Sequence, residues 1–221
     1  MKKQLFLTLG SLLVLTGWGG SWAEQLTPYR ELRYTGVVGQ TTWYTCGPAA
    51  ASTLLQNYYH IEASEQEISE FCLSFMGVEP QQFQVNGREL GVLEGVNALA
   101  LQESLAHYGL EAQGYRLDLA SLVDYFNRGG LPVILHVTKP QLHYILAEVM
   151  VGDYLLIADP SWGRRLIRLE DLIQDKGFSG VALVPIPNLI QQIQAQQAQA
   201  QALEWATQRL TQLGVVAEVI R

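Results

Sequence analysis

Residues 40–55 read Gln40-Thr41-Thr42-Trp43-Tyr44-Thr45-Cys46-Gly47-Pro48-Ala49-Ala50-Ala51-Ser52-Thr53-Leu54-Leu55. Up to Thr45 the text is polar and aromatic, and from Cys46 it turns small and apolar, running on through Gln56-Asn57-Tyr58-Tyr59. Pro48 is tolerated in a first helical turn, where its missing N–H would have had no intrahelical partner. The stretch therefore reads as a helix with Cys46 at its N-terminus. The partial positive charge and free N–H groups of a helix start stabilise a thiolate, the reactive form of a cysteine.

Working outward from this helix, Ser64-Glu65-Gln66-Glu67 reads as a capping box that opens a second helix. Ile68, Phe71, Cys72 and Phe75 then form its apolar stripe. A third helix is expected from Leu93 to His107, on the spacing of Val96, Leu99, Ala100, Leu101 and Leu105, with a loop over Gly77 to Gly91 before it. A fourth spans Leu117 to Asn127 and stops at Gly129-Gly130. After that the period changes. Pro132–Val137, Leu142–Met150, Asp153–Ala158, Arg164–Arg168 and Val181–Pro185 are short branched or alternating runs separated by turn residues, the pattern of antiparallel strands. Helices followed by strands predict an α+β domain, with N-terminal helices packed on an antiparallel sheet.

The two ends read differently. Met1-Lys2-Lys3, an apolar run from Leu5 to Gly20 and Ser21-Trp22-Ala23 have the layout of a secretory signal peptide, so residues 1–23 are expected to be removed after Ala23. The apolar run is shorter than the roughly 18 residues of a spanning helix, and no later stretch is long enough either. Residues 24–38 read as an extended arm and residues 39–187 as a single folded domain. Residues 188–221 read as a Gln/Ala-rich amphipathic helix, in which Leu203, Ala206, Leu210 and Leu213 recur at helical spacing. That helix either packs back on the domain, serves as a partner-binding or self-associating arm, or stays disordered. A net charge of −7 with no basic cluster argues against nucleic acid as a partner. No Cys/His spacing predicts a metal site, and no glycine loop predicts a phosphate-binding cofactor site.

The chain has two cysteines and four histidines. Cys72 reads as a buried core thiol; in an oxidising compartment a Cys46–Cys72 bridge is the competing reading. His60 and His107, at helix ends, are expected at the surface. His136 and His143 lie on neighbouring expected strands, and either could serve Cys46 as a base. Asp159 ends an apolar strand, where a carboxylate can orient an imidazole on the adjacent strand; its simpler role is a turn residue before Pro160. Gln40, in the loop before the helix, could reach back as a donor to an oxyanion. Trp43, Tyr44 and Trp162 flank these residues in sequence, where they either wall a peptide groove or pack the loops.

Gln40 to Gly47, continuing into Pro48-Ala49-Ala50-Ala51-Ser52-Thr53-Leu54-Leu55, resembles the start of the C39 peptidases, papain-like domains that remove double-glycine leaders from exported peptides. His143-Tyr144 and Ala158-Asp159-Pro160 resemble that family's His-Tyr and Asp-Pro elements, in the same order, and the likeness extends over residues 39–185. It implies a papain-like fold with Cys46 as nucleophile, His143 as base and then acid, Asp159 as the orienting group, and Gln40 as oxyanion donor beside the Cys46 N–H. Thr45 stands where an acidic residue often precedes the family's cysteine, and the chain carries an export signal where the best-known members carry a transporter. It looks more like the stand-alone secreted members found with export systems for surface fibres, including functional amyloid. The expectation is a periplasmic cysteine endopeptidase acting on an exported polypeptide, with cleavage after small residues such as Gly-Gly, working beside outer-membrane export machinery. The alternatives are a non-cleaving binding or chaperone module and an acyl or amide transferase on the same scaffold.

Overall fold

The helix that begins at Cys46 sits at the centre of the molecule because its residues are small enough to be covered on nearly every side. In a computed structural model, which describes residues 28–78 and 95–215, this helix (α2, Cys46–Tyr59) buries all its residues except Gln56 and Asn57. A helix apolar all round has to lie inside a domain, and Ala49, Ala50 and Ala51 let its neighbours approach closely. It ends where His60 adopts a left-handed backbone with φ 53°. The capping box at Ser64 forms as the sequence predicts: Ser64 Oγ accepts from the Glu67 N–H while Glu67 accepts from the Ser64 N–H. It opens α3 (Glu65–Phe75).

Among the described residues the sheet has six strands: β1 (Ala112–Arg116), β2 (Val133–Val137), β3 (His143–Val151), β4 (Tyr154–Asp159), β5 (Gly163–Arg168) and β6 (Phe178–Pro185). Their order across it is β1-β6-β2-β3-β4-β5, and every pairing is antiparallel. Ile134, Leu146, Ala158 and Leu183 face α2, α3 and α4 (Ala98–His107). Val133, Leu135, Val137, Ile145, Leu155 and Ile157 form a second core on the opposite face, under Leu122 of α5 (Leu119–Asn127) and Leu172 of α6 (Leu169–Gln174). With both faces covered, the central strands are almost continuously apolar.

Several expectations are corrected. Residues 24–38 are not wholly an extended arm, because Tyr29–Arg33 form a short helix, α1. Arg33 donates to the Trp162 carbonyl and Tyr34 Oη to the Ser161 carbonyl, which straps this segment across the end of β4. The helix expected from Leu93 starts in the structure at Ala98, where the Asn97 side chain accepts from the Ala100 N–H; Val96 is buried ahead of it and Leu99 is exposed. On α3, Ile68 and Cys72 are buried as expected, but Phe75 is exposed and Phe71 stacks on His107 at 4.6 Å, so the buried face turns toward Leu73. Strand β1 and helix α6 were not foreseen; β1 buries only Ala112, which leaves no apolar alternation to read. Both cysteines are free, so there is no Cys46–Cys72 bridge. The expected signal peptide, and nearly all of the expected Gly77–Gly91 loop, lie outside the described residues.

The Gln/Ala-rich tract forms α7 (Leu189–Gln212), opened by an Asn188 cap, and packs back on α2 and β3. Its buried residues are Ala195, Ala202, Ala206 and Leu210, whereas Leu203 and Leu213 are exposed. Beside it, a bulge in β3 between Ala147 and Val149 accompanies the burial of Glu148. Glu148 Oε1 accepts from Tyr58 Oη at 2.9 Å and Oε2 from Arg164 Nε at 2.8 Å. The Arg164 guanidinium in turn lies 5.2 Å from the centre of the Trp205 ring on α7. Removing one partner of a buried pair strands the other charge, so Arg164→Met is expected to lower stability by about 3 kcal/mol. The loss would appear as a lower urea midpoint.

Candidate active site

Cys46 is the first residue of α2, His143 the first of β3 and Asp159 the last of β4. The antiparallel β3–β4 pairing brings the last two to one end of the sheet, and α2 lies against β3 there. His143 Nε2 and Asp159 Oδ1 are 2.8 Å apart. His143 and Cys46 line one cleft, and their interaction contributes to a raised His143 pKa. Gly47 makes the close fit possible: a Cβ there would come within 2.8 Å of Leu101 Cδ1 and 3.2 Å of Tyr144 Cδ2.

The loop ahead of α2 is tied down without capping the helix. Thr45 Oγ1 donates to the Thr42 carbonyl and accepts from the Thr42 N–H, each at 3.1 Å, and makes no side-chain cap to the helix. Glu65 Oε1 accepts from both the N–H and the hydroxyl of Thr41. Gln40 donates through Nε2 to the Thr42 carbonyl at 2.9 Å and accepts through Oε1 from Ser161 Oγ at 2.7 Å. A carbonyl only accepts, so these partners orient the amide and leave its second N–H for another acceptor. The Ser161 N–H reaches Asp159 Oδ1 at 3.0 Å. One network therefore runs from Gln40 through Ser161 and Asp159 to His143.

The charges follow from these contacts. Burial alone would depress the His143 pKa, but its hydrogen bonds to Asp159 and Cys46, with the charges behind them, raise it to about 9. Burial would raise the Asp159 pKa, yet its bonds to His143 and to Lys176 Nζ, 2.8 Å from Oδ2, hold the carboxyl well below the usual range. Burial pushes the Cys72 thiol up to about 12, which fits a core thiol that does no chemistry.

His136, the other candidate base, is differently engaged. Ser179 Oγ donates to the His136 carbonyl and accepts from the Val181 N–H, so His136 Nδ1, 2.9 Å from that oxygen, is its donor. Burial and the nearby His143 charge lower its pKa and favour the neutral ring. The neutral ring leaves Nε2 as an acceptor. The Asp159 bond goes to His143. His60 and His107 are exposed, as expected.

A cleft of about 230 Å³ opens at Cys46, lined by Gly95, Val96, Asn97, His136, Leu142, His143 and Tyr144. Trp43, Tyr44 and Trp162 are not among its walls. Trp43 and Tyr44 pack edge-to-face at 5.5 Å, and Trp162 lies out on the surface over Arg33. A larger hollow of about 440 Å³, between α6 and the β4–β5 edge, contains neither cysteine nor histidine. Among the described residues no group of three or more His, Cys, Asp or Glu side chains could hold a metal ion. No described helix is long and apolar enough to cross a membrane. Sequence reasoning missed Ser161 and Lys176; a serine two residues after an Asp-Pro and a lysine before a glycine carry no motif of their own.

Comparison with known proteins gives the following likenesses. Residues 88–189 match the family model of the peptidase C39 family, a span that includes His143 and Asp159 and begins after Cys46. The chain is 25% identical over 169 residues to the probable functional amyloid protease FapD of Pseudomonas aeruginosa, covering 76% of this chain and 68% of that protein. It is 26% identical over 189 residues to the protein of the same name from Pseudomonas fluorescens, covering 79% and 76%. Among solved structures it is similar to a double-glycine-motif protease from an AMS/PCAT transporter in complex with the leader peptide. That likeness has a TM-score of 0.53 and 27% identity and covers 69% of this chain and 91% of the other.

The raised His143 pKa has a consequence for stability. The folded chain binds this proton more tightly than the unfolded chain, so the contribution is fully present below the unfolded pKa near 6.5 and is lost as pH rises through about 9. Between pH 7 and pH 9 the wild type is expected to lose about 2 kcal/mol from this source. Urea midpoints should fall over that interval, and should fall less in His143→Gln.

Proposed function

We propose that this chain, a cysteine peptidase of the C39 family, cuts an exported polypeptide in the periplasm, with Cys46 as nucleophile, His143 as acid and base, and Asp159 as the orienting group. The observation that carries the reading lies at the head of α2, where Cys46 and His143 line one cleft and His143 meets the buried Asp159 carboxylate. Passing the thiol proton to His143 gives a thiolate at the positive end of a helix, beside an imidazolium held by Asp159. The thiolate attacks the scissile carbonyl carbon. The oxyanion that develops is met by the Cys46 N–H and the uncommitted N–H of Gln40 Nε2. His143 gives its proton to the departing amine and a thioester remains. Water then attacks the thioester as His143 takes up its proton, and collapse of the second tetrahedral species frees the acid product and restores Cys46.

The substrate reading follows from the cleft and the relatives. Val96, Leu142 and Tyr144 narrow the space beside Cys46, which suits residues with little side chain on the acyl side of the cut bond. A Gly-Gly pair meets that demand, and the solved relative bound to a leader is a double-glycine-motif protease. The names of the two Pseudomonas relatives support a role in functional amyloid biogenesis. The basic, then apolar, then small-residue order of residues 1–23 supports export to the periplasm. Outer-membrane export machinery is then the neighbouring partner, and the exposed Leu189, Ile190 and Ile193 on α7 leave that helix a surface for self-association.

The test is to incubate the chain with secreted fibre subunits and leader-bearing peptides and identify fragments by mass spectrometry. Cleavage after a small residue is expected, and Cys46→Ala should lower it by on the order of 10⁴-fold or more while the chain still folds. Tight binding without fragments would overturn the reading in favour of a holding module, and cleavage that survives Cys46→Ala would overturn Cys46 as the nucleophile.

A further inference from the structure

We propose that Lys176 is a positioning residue of this centre, closing a buried row of alternating charge that runs Cys46, His143, Asp159, Lys176, and thereby setting how tightly His143 holds its proton. The inference rests on the reading of Cys46 and His143 as nucleophile and base.

The geometry leaves Asp159 no free oxygen. Its carboxylate is fully buried; Oδ1 accepts from His143 Nε2 at 2.8 Å and from the Ser161 N–H at 3.0 Å, and Oδ2 accepts from Lys176 Nζ at 2.8 Å. Lysine is almost never buried without a partner. Here it is 8% exposed and its partner is the carboxylate that orients the proposed base.

The main chain of the same residue holds the other side of the site. The Lys176 carbonyl accepts from the N–H groups of Thr138 and Lys139, at 3.1 and 2.9 Å, and the Lys176 N–H donates to the Asp171 carbonyl in the first turn of α6. Gly177, at φ 63°, lets the chain pass so close to Thr138 that a Cβ would meet its Oγ1 at 2.5 Å. One residue thus fixes the β2–β3 turn that delivers His143 and the end of β4 that delivers Asp159.

The charge argument has a definite sign. Thiolate, imidazolium and carboxylate alone sum to −1 in a buried site, and the ammonium brings the row to zero. A cation on the far oxygen draws on the carboxylate charge that would otherwise hold the His143 proton, so it keeps the imidazolium acidic enough to release that proton to a leaving amine. Among the described residues, the other titratable groups near the row are His136 on β2, kept neutral as described, and Tyr144 on β3, whose phenol is raised by burial and by the cysteines. Lys139 is turned away, its Nζ on the Gln174 carbonyl. Asp171 and Thr138 reach Lys176 only through its main chain. None of these supplies a positive charge in place of Lys176.

The experiment needs no substrate. The rate of Cys46 alkylation by iodoacetamide is measured from acid to alkaline pH in the wild type, Lys176→Met, Lys176→Gln and Lys176→Arg, with modification sites assigned by peptide mapping and folding checked by circular dichroism. In the wild type the profile should show an acid step, where the thiolate–imidazolium pair forms, and an alkaline step, where the imidazolium deprotonates. In the two neutral variants the alkaline step should move up by roughly one unit, and in Lys176→Arg it should stay near the wild-type value. An unmoved alkaline step in a folded neutral variant overturns the proposal. So does failure of both neutral variants to fold beside a folded Lys176→Arg, since the pair is then purely structural. A wild-type profile with the single step of an isolated thiol would instead defeat the underlying nucleophile and base reading.

Discussion

A carboxylate with no exposed surface must have every strong acceptor site answered from within the protein, and Asp159 is such a group. Its donors come from β3, from the turn after β4 and from the loop after α6, so it ties together three separate segments. An unpaired charge in that position would cost more than most single contacts return. The pairing therefore constrains where β3 begins, where β4 ends and how α6 hands the chain to β6. The site is organised around this acceptor more than around the thiol, which contributes one end of the row.

The thiol has its own constraint, set by α2. A helix start that leaves its first N–H groups without a side-chain cap gives up stability that a capping residue would return. Here Thr45 turns its hydroxyl back to Thr42, and the stability is recovered by burying almost the whole helix. Small residues on α2 are what allow that burial. The absence of a Cβ at Gly47 lets Leu101 and Tyr144 close over the helix immediately beside Cys46.

Much of this was legible in the sequence because it obeys local rules. The capping box at Ser64, the proline near the start of α2, the glycines after α5 and the five apolar runs that became strands all act within a few residues of themselves, so their signals survive without the fold. What the sequence concealed depends on distant partners. Lys176 and Ser161 belong to residue types that usually meet water, and only the packing of α6 and of the β4–β5 turn against β3 makes them inward groups. His136 and His143 were equivalent from their own residues, since both sit on strands at one edge of the same turn. The family resemblance favours His143, and it is His143 that meets Asp159. Trp43, Tyr44 and Trp162 do not line its cleft: Trp43 and Tyr44 pack on one another ahead of α2, and Trp162 lies over Arg33.

The C-terminal helix shows why composition alone misleads. A Gln/Ala-rich tract has too little apolar surface to hold itself on a domain by the hydrophobic effect, and its leucines at helical spacing suggested the contact face. Two of those leucines, Leu203 and Leu213, are on the outside. The contact is made by Ala195, Ala202, Ala206 and Leu210, which allow a close approach, and by Gln199, whose amide donates to the carbonyls of Gly130 and Glu148. Glu148 sits at the β3 bulge, and its side chain is held by Tyr58 of α2 and Arg164 of β5. Helix α7 therefore braces β3 and α2, the two elements that carry His143 and Cys46, from the side away from the cleft. A polar tract can do this because its glutamines answer main-chain carbonyls that the bulge and the turn at Gly130 leave outside the sheet ladder.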